Sequence, residues 1–357
     1  MMTTYWERLA SRLPDGGSAA LVTSPHNRRY LTGFPSSDGC VLILPDAAYF
    51  LTDFRYIEAA RRQIRSMECL CYQRLTDTLR ELTEKHGVRR LLVEAGQMTL
   101  RERRKLRETL SGDVEDGDEL DDWLEALRLI KSPDELRRIR EAQALTAYGF
   151  EKILDYIRPG RTEREIALEL EFLIRRQGAE GIAFDFIVVS GANSSLPHGV
   201  PSDKAVEPGD FVTMDFGAVV DGWHSDMTRT VAVGRVGEKQ RAVYNTVLRA
   251  QQAALAVLRA GLPCVEGDAA ARRIIEAAGY GGCFGHSTGH GVGVEIHEAP
   301  RLSPGAAGER LAAGSVVTVE PGIYIPGEFG VRIEDMAFIT PDGCENLTGC
   351  PKELMVL

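Results

Sequence analysis

The chain has 357 residues, 44% of them hydrophobic and 26% charged, with a formal net charge of −10. That length exceeds one ordinary hydrophobic core, so a globular protein of two domains is expected. The acidic surplus excludes a basic face for nucleic acid, and no run approaches the roughly 20 apolar residues that span a bilayer.

Residues 1–128 carry 19 basic and 21 acidic side chains and residues 129–357 carry 23 and 31, so the surplus carboxylates lie in the C-terminal part. The first residues, MMTTYWERLASRL, lack a basic segment followed by an apolar run. No signal peptide is therefore expected, and a cytoplasmic location follows. Seven cysteines, an odd number without a C-x-x-C pair, argue against a disulfide framework and against a structural zinc site.

In chain order, Ala19–Ser24, Cys40–Leu44, Ala48–Thr52 and Arg90–Glu94 read as strands, with helical patterns over Arg55–Ile64 and Asp77–Lys85. This alternation predicts a small α/β domain over residues 1–128. The acidic stretch Ser111–Asp122 reads as a surface loop, because packed cores exclude such runs. The second domain, residues 129–357, opens at Ile130-Lys131-Ser132-Pro133-Asp134-Glu135. There Ser132 is placed to cap a helix, Pro133 suits its first turn, and Asp134 and Glu135 complement its dipole. That helix should run to about Ile157, before Arg158-Pro159-Gly160. Further helices are expected at about Thr162–Gln177, Glu238–Ala260 and Gly267–Ala278.

These segments expose a repeat. Glu207–Asp215 (EPGDFVTMD) lies over Ala312–Glu320 (AAGSVVTVE), and in both a glycine precedes a Val-Thr strand ending in a carboxylate six residues later. A second carboxylate follows each: Asp226 after 11 residues and Glu334 after 14. Helices ending in Arg-x-Gly (158–160 and 259–261) precede another helix in both halves. The offsets of 105 and 108 residues are far longer than a solenoid period, so the pattern is a duplicated half-domain. Two such hairpins about a pseudo-twofold axis would bring four carboxylates together.

Paired acids flanking a hairpin are ordinarily solvated turn residues. Here Asp215 and Glu320 close apolar strands, and Glu334 sits between Val331-Arg332-Ile333 and the apolar Met336–Ile339, where unpaired charge is costly to bury. A cation compensates such a cluster. His286, His290 and His297 fall within twelve residues in a glycine-rich segment, whose Gly289, Gly291 and Gly293 imply a close backbone approach. His198 holds the corresponding place in the first half. Four carboxylates and one imidazole without thiolate form a hard set suited to Mn²⁺ or Fe²⁺, with Co²⁺ or Zn²⁺ also accommodated. Five such ligands suit two divalent ions rather than one.

Asp215-Phe-Gly, His224-Ser-Asp226-Met-Thr-Arg229-Thr, Gly289-His290-Gly-Val-Gly, Glu320-Pro-Gly-Ile-Tyr and Val331-Arg332-Ile-Glu334-Asp together resemble the Xaa-Pro peptidases, the prolidase and aminopeptidase P group. Asn27–Phe34 (NRRYLTGF) and the 130–135 boundary extend the resemblance over the whole chain. It implies a creatinase/prolidase-like α/β domain followed by an α+β pita-bread catalytic domain. It also implies hydrolysis of the bond preceding proline, in dipeptides or short peptides, through a metal-bridging hydroxide. By resemblance Asp215 would hold one ion and His290 with Glu320 the other, with Asp226 and Glu334 bridging. Glu320 would also carry the proton to the leaving nitrogen. His198 and His297 match the family's substrate-binding and transition-state histidines, His286 would line the same pocket, and Arg332 would orient carboxylates. Arg301, four residues after His297, is placed to pair with the carboxylate of a dipeptide, or to be a plain surface arginine. Tyr324 is a candidate substrate contact whose alternative is packing. A homodimer is implied by resemblance alone.

A methionine aminopeptidase has the same five ligands, but it leaves the N-terminal domain and the boundary motif unexplained. A creatinase-like hydrolase explains both domains but dispenses with the ligands present here, and a peptide-binding module on this scaffold would usually lose them. Dipeptidase against aminopeptidase P specificity depends on loops and stays open.

Overall fold

The computed structural model describes residues 4–357, which form two compact units, one up to Arg128 and the other Leu129–Leu357. The first contains α1 (Tyr5–Ala10), β1 (Ser18–Val22), α2 (Pro25–Thr32), β2 (Cys40–Ile43), β3 (Ala48–Thr52), α3 (Ile57–Gln63), β4 (Glu68–Cys71), α4 (Leu75–Lys85), β5 (Arg90–Val93), α5 (Leu100–Thr109), β6 (Asp113–Glu115) and α6, which runs from Glu119 to Leu129. The strands make one mixed sheet in the order β4-β3-β2-β1-β5-β6. Neighbours β1, β2 and β3 are antiparallel, and β4, β5 and β6 join in parallel. Strands β1, β2 and β3 are buried along their whole length, so they read as continuous apolar runs.

The segment Ser111–Asp122, expected as a loop, instead supplies β6 and the first turn of α6. Val114 pairs with Leu91 at the sheet edge and is buried, while Leu120, Leu124 and Leu127 turn one face of α6 inward. The acids dominating this stretch by count occupy the opposite face. Helix α5 also escaped the pattern search, because Leu106 is its one buried residue and its start is set by a Thr99–Glu102 capping box.

The second unit opens with α7 (Pro133–Ile153), capped by Ser132 and Glu135, and α8 (Glu163–Arg176), capped by Thr162 and Glu165. Then come β7 (Gly181–Ile182), β8 (Ile187–Ser190), a 3-10 turn over Gly191–Ser195, β9 (Phe211–Phe216), β10 (Ala218–Val220), β11 (Trp223–His224) and β12 (Met227–Ala232). The second half repeats the plan: α9 (Glu238–Val257), α10 (Cys264–Ala277), β13 (Gly289–Gly291), β14 (Glu298–Leu302), β15 (Val316–Val319), β16 (Gly322–Ile325), β17 (Phe329–Arg332), β18 (Asp335–Ile339) and β19 (Cys344–Asn346).

Each half packs its helix pair on its own strands. Phe150, Ile166, Leu170 and Ile174 of α7 and α8 meet Val188, Met214, Phe216 and Val231. Val243, Val247, Ala254 and Ile275 of α9 and α10 meet Val317, Val319, Ala337 and Ile339. The halves join where β12 meets the β17–β18 turn: Glu334 donates its N–H to the Thr228 carbonyl at 3.1 Å, and Thr230 Oγ1 donates to the Arg332 carbonyl at 3.0 Å. No described helix is long and apolar enough to cross a membrane.

Candidate metal centre

The four repeat-related acids all stand at hairpin ends. Asp215 is the penultimate residue of β9, opposite Thr228 of β12, and Asp226 immediately precedes β12. Glu320 follows β15 directly, and Glu334 immediately precedes β18. The repeat is inexact: β9 continues through Asp215 to Phe216, whereas β15 stops one residue before Glu320. His290 sits at the centre of β13.

Asp226, His290 and Glu334 each offer one ligand atom, all within 4.8 Å of one another. His290 Nε2 lies 3.3 Å from Glu320 Oε1 and 3.6 Å from Asp226 Oδ2. Its Nδ1 lies 3.0 Å from the Gly291 carbonyl. That oxygen only accepts, so Nδ1 carries the proton and Nε2 is aimed at the carboxylates, the tautomer a metal-binding imidazole requires. Thr228 Oγ1 donates to Glu334 Oε2 at 2.7 Å, and Thr318 Oγ1 donates to Glu320 Oε1 at 3.2 Å. Arg332 donates to Asp215 Oδ2 at 2.6 Å. The remaining oxygens, Asp215 Oδ1 and Glu334 Oε1, are buried without a partner.

Burial, then the negative charges of Glu334 and Asp215, pushes the Asp226 carboxyl well above its usual range. Burial and the charges of Glu320 and Asp215 raise Glu334 likewise. Glu320 moves the other way: burial opposes ionisation, but in the metal-free site Nε2 of His290 is protonated as well, and its hydrogen bond and charge hold Glu320 down to about 2. Like charges crowded out of water, two orphaned carboxylate oxygens and a directed imidazole nitrogen fit one or more divalent cations. The donor set, all carboxylate and imidazole, is hard enough for Mn²⁺. Adding Mn²⁺ to metal-stripped protein at about 100 times its Kd should stabilise it by roughly 2.7 kcal/mol, a rise in Tm of about 5–10 °C. An unchanged melting curve across the titration would count against a metal site here.

Arg332 ties the centre to a second layer. Besides Asp215 it donates to Tyr324 Oη at 2.7 Å, to Thr228 Oγ1 at 3.0 Å and to the Pro197 carbonyl at 3.3 Å. Tyr324 Oη in turn lies 2.9 Å from His286 Nε2, and His286 Nδ1 lies 2.8 Å from the Ser287 carbonyl. Both ring nitrogens of His286 are thus engaged by the protein, although the ring lines the cavity. Tyr324 is buried and stands outside the cavity lining, holding Arg332 and His286 rather than presenting a surface to a ligand.

The centre forms the floor of a cavity of about 730 Å³, whose lining includes Asp215, Asp226, His290, Glu320 and Arg332. Its walls carry His198, His297 and Arg301. His297 stacks edge-on against His290, with ring centroids 4.4 Å apart. Among the described residues the Arg301 side chain has no acidic partner within 4.0 Å. The structure adds an apolar wall the sequence reading passed over: Phe184, Phe186, Ile187, Val200, Pro201 and Ile296. The alternation in Phe184-Asp-Phe-Ile before β8 was its one available signal. The glycines around His290 do make a close approach, but to neighbouring strands. A Cβ on Gly289 would meet the Thr318 carbonyl at 1.9 Å, and one on Gly291 would meet the Ala299 carbonyl at 2.2 Å.

A fold of two helix-backed half-sheets with acids and one imidazole at their junction defines a metal-dependent hydrolase class, and comparison with known proteins makes it specific. The model of metallopeptidase family M24 matches residues 137–341, and that of the creatinase/prolidase N-terminal domain matches residues 8–130. The chain belongs to metallopeptidase family M24, and its second unit has the pita-bread fold. It is 45% identical to the uncharacterized peptidase YqhT of Bacillus subtilis, over 96% of both chains. Among solved structures it is similar to an Xaa-Pro dipeptidase from Bacillus anthracis, at 44% identity, TM-score 0.94 and 99% coverage of each chain. An X-Pro aminopeptidase from Thermotoga maritima is similar at 34% identity and TM-score 0.89, with 98% of this chain and 100% of that one covered.

Proposed function

We propose that this metallopeptidase hydrolyses the bond preceding proline in Xaa-Pro dipeptides, using two divalent ions, Mn²⁺ by preference, held by Asp215, Asp226, His290, Glu320 and Glu334. When bound, the ions supply Lewis acidity and a nucleophile active at neutral pH. The observation that carries the dipeptide reading is Arg301: a guanidinium without an acidic partner on the wall of a cavity floored by carboxylates suits a substrate whose own carboxylate lies one residue past the scissile bond.

The residues divide the remaining work. His290 is fixed by its Nδ1–H bond to Gly291, and Arg332 holds Asp215 in place. Glu320 accepts from Thr318 at Oε1, and its other oxygen would take the proton released by the attacking water and deliver it to the leaving proline nitrogen. His198 and His297, on the wall, contact the substrate carbonyl as charge develops. Phe184, Phe186 and Ile296 exclude water from the proline ring. A homodimer completes this reading, carried by the family resemblance.

Aminopeptidase P activity on longer peptides is the second reading, favoured by the similarity to the X-Pro aminopeptidase from Thermotoga maritima. Turnover of Ala-Pro against Ala-Pro-Ala-Ala with Mn²⁺ decides between them. The dipeptide should be cleaved at least about tenfold faster, the loss expected when a charged carboxylate contact worth roughly 1.5–3 kcal/mol is not made. Equal turnover of both substrates would sink the dipeptidase assignment.

A further inference from the structure

Outside the metal centre, each half of the second unit buries one more carboxylate on its second helix, and each grips a segment that leads to a histidine. In the first half it is Glu163, the first residue of α8, which is 0% exposed. Its Oε1 accepts from the Ser190 N–H at 2.6 Å, from Ser190 Oγ at 3.0 Å and from Asn193 Nδ2 at 3.1 Å. Its Oε2 accepts from the Ser202 N–H at 3.0 Å and from Ser202 Oγ at 2.6 Å. Ser190 ends β8 and Ser202 lies twelve residues on, so one side chain closes both ends of the intervening loop. That loop carries Pro197, His198, Gly199, Val200 and Pro201, all on the cavity wall. Its far side is held by Arg332, which donates to the Pro197 carbonyl.

The second half repeats the device. Asp268 of α10, also buried, accepts from the Thr288 N–H at 3.1 Å and from Thr288 Oγ1 at 2.9 Å. Its bidentate partner Arg272 donates to the carbonyls of Phe284 and His286. The two acids stand at different points of their helices, Glu163 at the first residue of α8 and Asp268 at the fifth of α10, so what the halves share is the use of a buried carboxylate to hold a histidine-bearing segment.

We infer that Glu163 is a positioning residue for substrate recognition: it sets the mouth of the Ser190–Ser202 loop and so fixes where His198 meets the substrate. The inference rests on His198 facing substrate, as proposed above. A carboxylate suits the task because it accepts all five bonds on two oxygens, whereas a carboxamide nitrogen in the same place presents hydrogens to donors. The loop holds none of the five acid and imidazole groups of the floor, so loosening it should spare metal binding.

The test is a double-mutant cycle on the Mn²⁺-loaded enzyme with Ala-Pro. Glu163→Gln should lower kcat/KM by roughly 10–100-fold, the scale for partners that orient a site residue, with metal content per chain as in the unmodified enzyme. In a His198→Ala background the same substitution should cost less than about threefold, because the residue it positions is gone. Limited proteolysis of folded Glu163→Gln should show faster cleavage between residues 191 and 201. Equal losses in both backgrounds, a loss of bound metal, or no loss where His198→Ala is itself impaired would each overturn the inference. A His198→Ala enzyme as active as the parent would overturn both this inference and the role given to His198. Should Glu163→Gln fail to fold, Ser202→Ala removes one of the five donors and carries the same cycle with a smaller effect.

Discussion

Asp226→Asn is expected to lower kcat/KM for an Xaa-Pro dipeptide by about 10³-fold or more while the protein stays folded. Asp226 is 4% exposed and its carboxylate faces His290, Glu334 and Asp215. The carboxamide keeps shape and volume but removes the charge that would draw a cation between the halves. Several kcal/mol of electrostatic stabilisation disappear with it, at tenfold in rate per 1.36 kcal/mol. The metal-free fold should not suffer, since burial and the neighbouring acids already favour the neutral form of Asp226, which a carboxamide resembles. Activity within tenfold of the parent, at unchanged metal content, would refute a shared-ligand role for Asp226. A collapsed Tm without metal would show instead that the carboxylate is structural.

Arg229→Met is expected to produce the largest loss of stability, about 3–5 kcal/mol, or roughly 6–20 °C in Tm. The Arg229 guanidinium is 1% exposed and donates to the carbonyls of Thr228, Glu334, Pro351 and Cys350, and to Asp335 Oδ1 at 2.8 Å. Asp335, at 0% exposure, also accepts from Gln251, Asn346 and Lys352. This network stitches β12 of one half to β18 of the other directly behind the carboxylates. Methionine fills much of the volume but leaves the Glu334, Cys350 and Pro351 carbonyls and part of a carboxylate without that donor, where each unsatisfied buried group costs on the order of 1–3 kcal/mol. The measurement is thermal unfolding of the metal-free protein, so that ligand binding does not mask the change. A Tm within about 3 °C of the parent would mean that the other partners of Asp335 suffice.

The acids of the centre were legible because the chain writes them twice. Asp215 and Glu320, then Asp226 and Glu334, recur at matching points of a duplicated pattern, and each interrupts an apolar strand in a way that a solvated turn residue does not. The capped starts of α7 and α8 were equally plain, since capping is settled within four residues. What the sequence hid was long-range or locally contradictory. Glu163 reads as an ordinary first-turn acid of a helix, and only the return of Ser202 beside Ser190 gives it five donors. Thr228 and Thr318 read as strand formers, yet each aims a hydroxyl at a carboxylate of the floor. His286 does line the cavity as expected, whereas Tyr324, read as a candidate substrate contact, is buried behind it and bonded to its ring. In the first unit, the acids of Ser111–Asp122 outweighed Val114 and Leu120, which decide where that segment lies. The glycines at 289 and 291 correctly announced close contact but not its object.

The Ser190–Ser202 loop has a consequence for how such an enzyme diverges. Acids fastened to paired strands cannot shift without unpicking a sheet, but a loop wall held by Glu163 at its ends and by Arg332 at the Pro197 carbonyl can change side chains between two fixed serines. Selectivity for the residues flanking the cut bond is therefore separable from cation affinity. A library confined to Leu196 and Val200, with the clamp and His198 left intact, would explore new peptides while every member keeps the same inorganic chemistry.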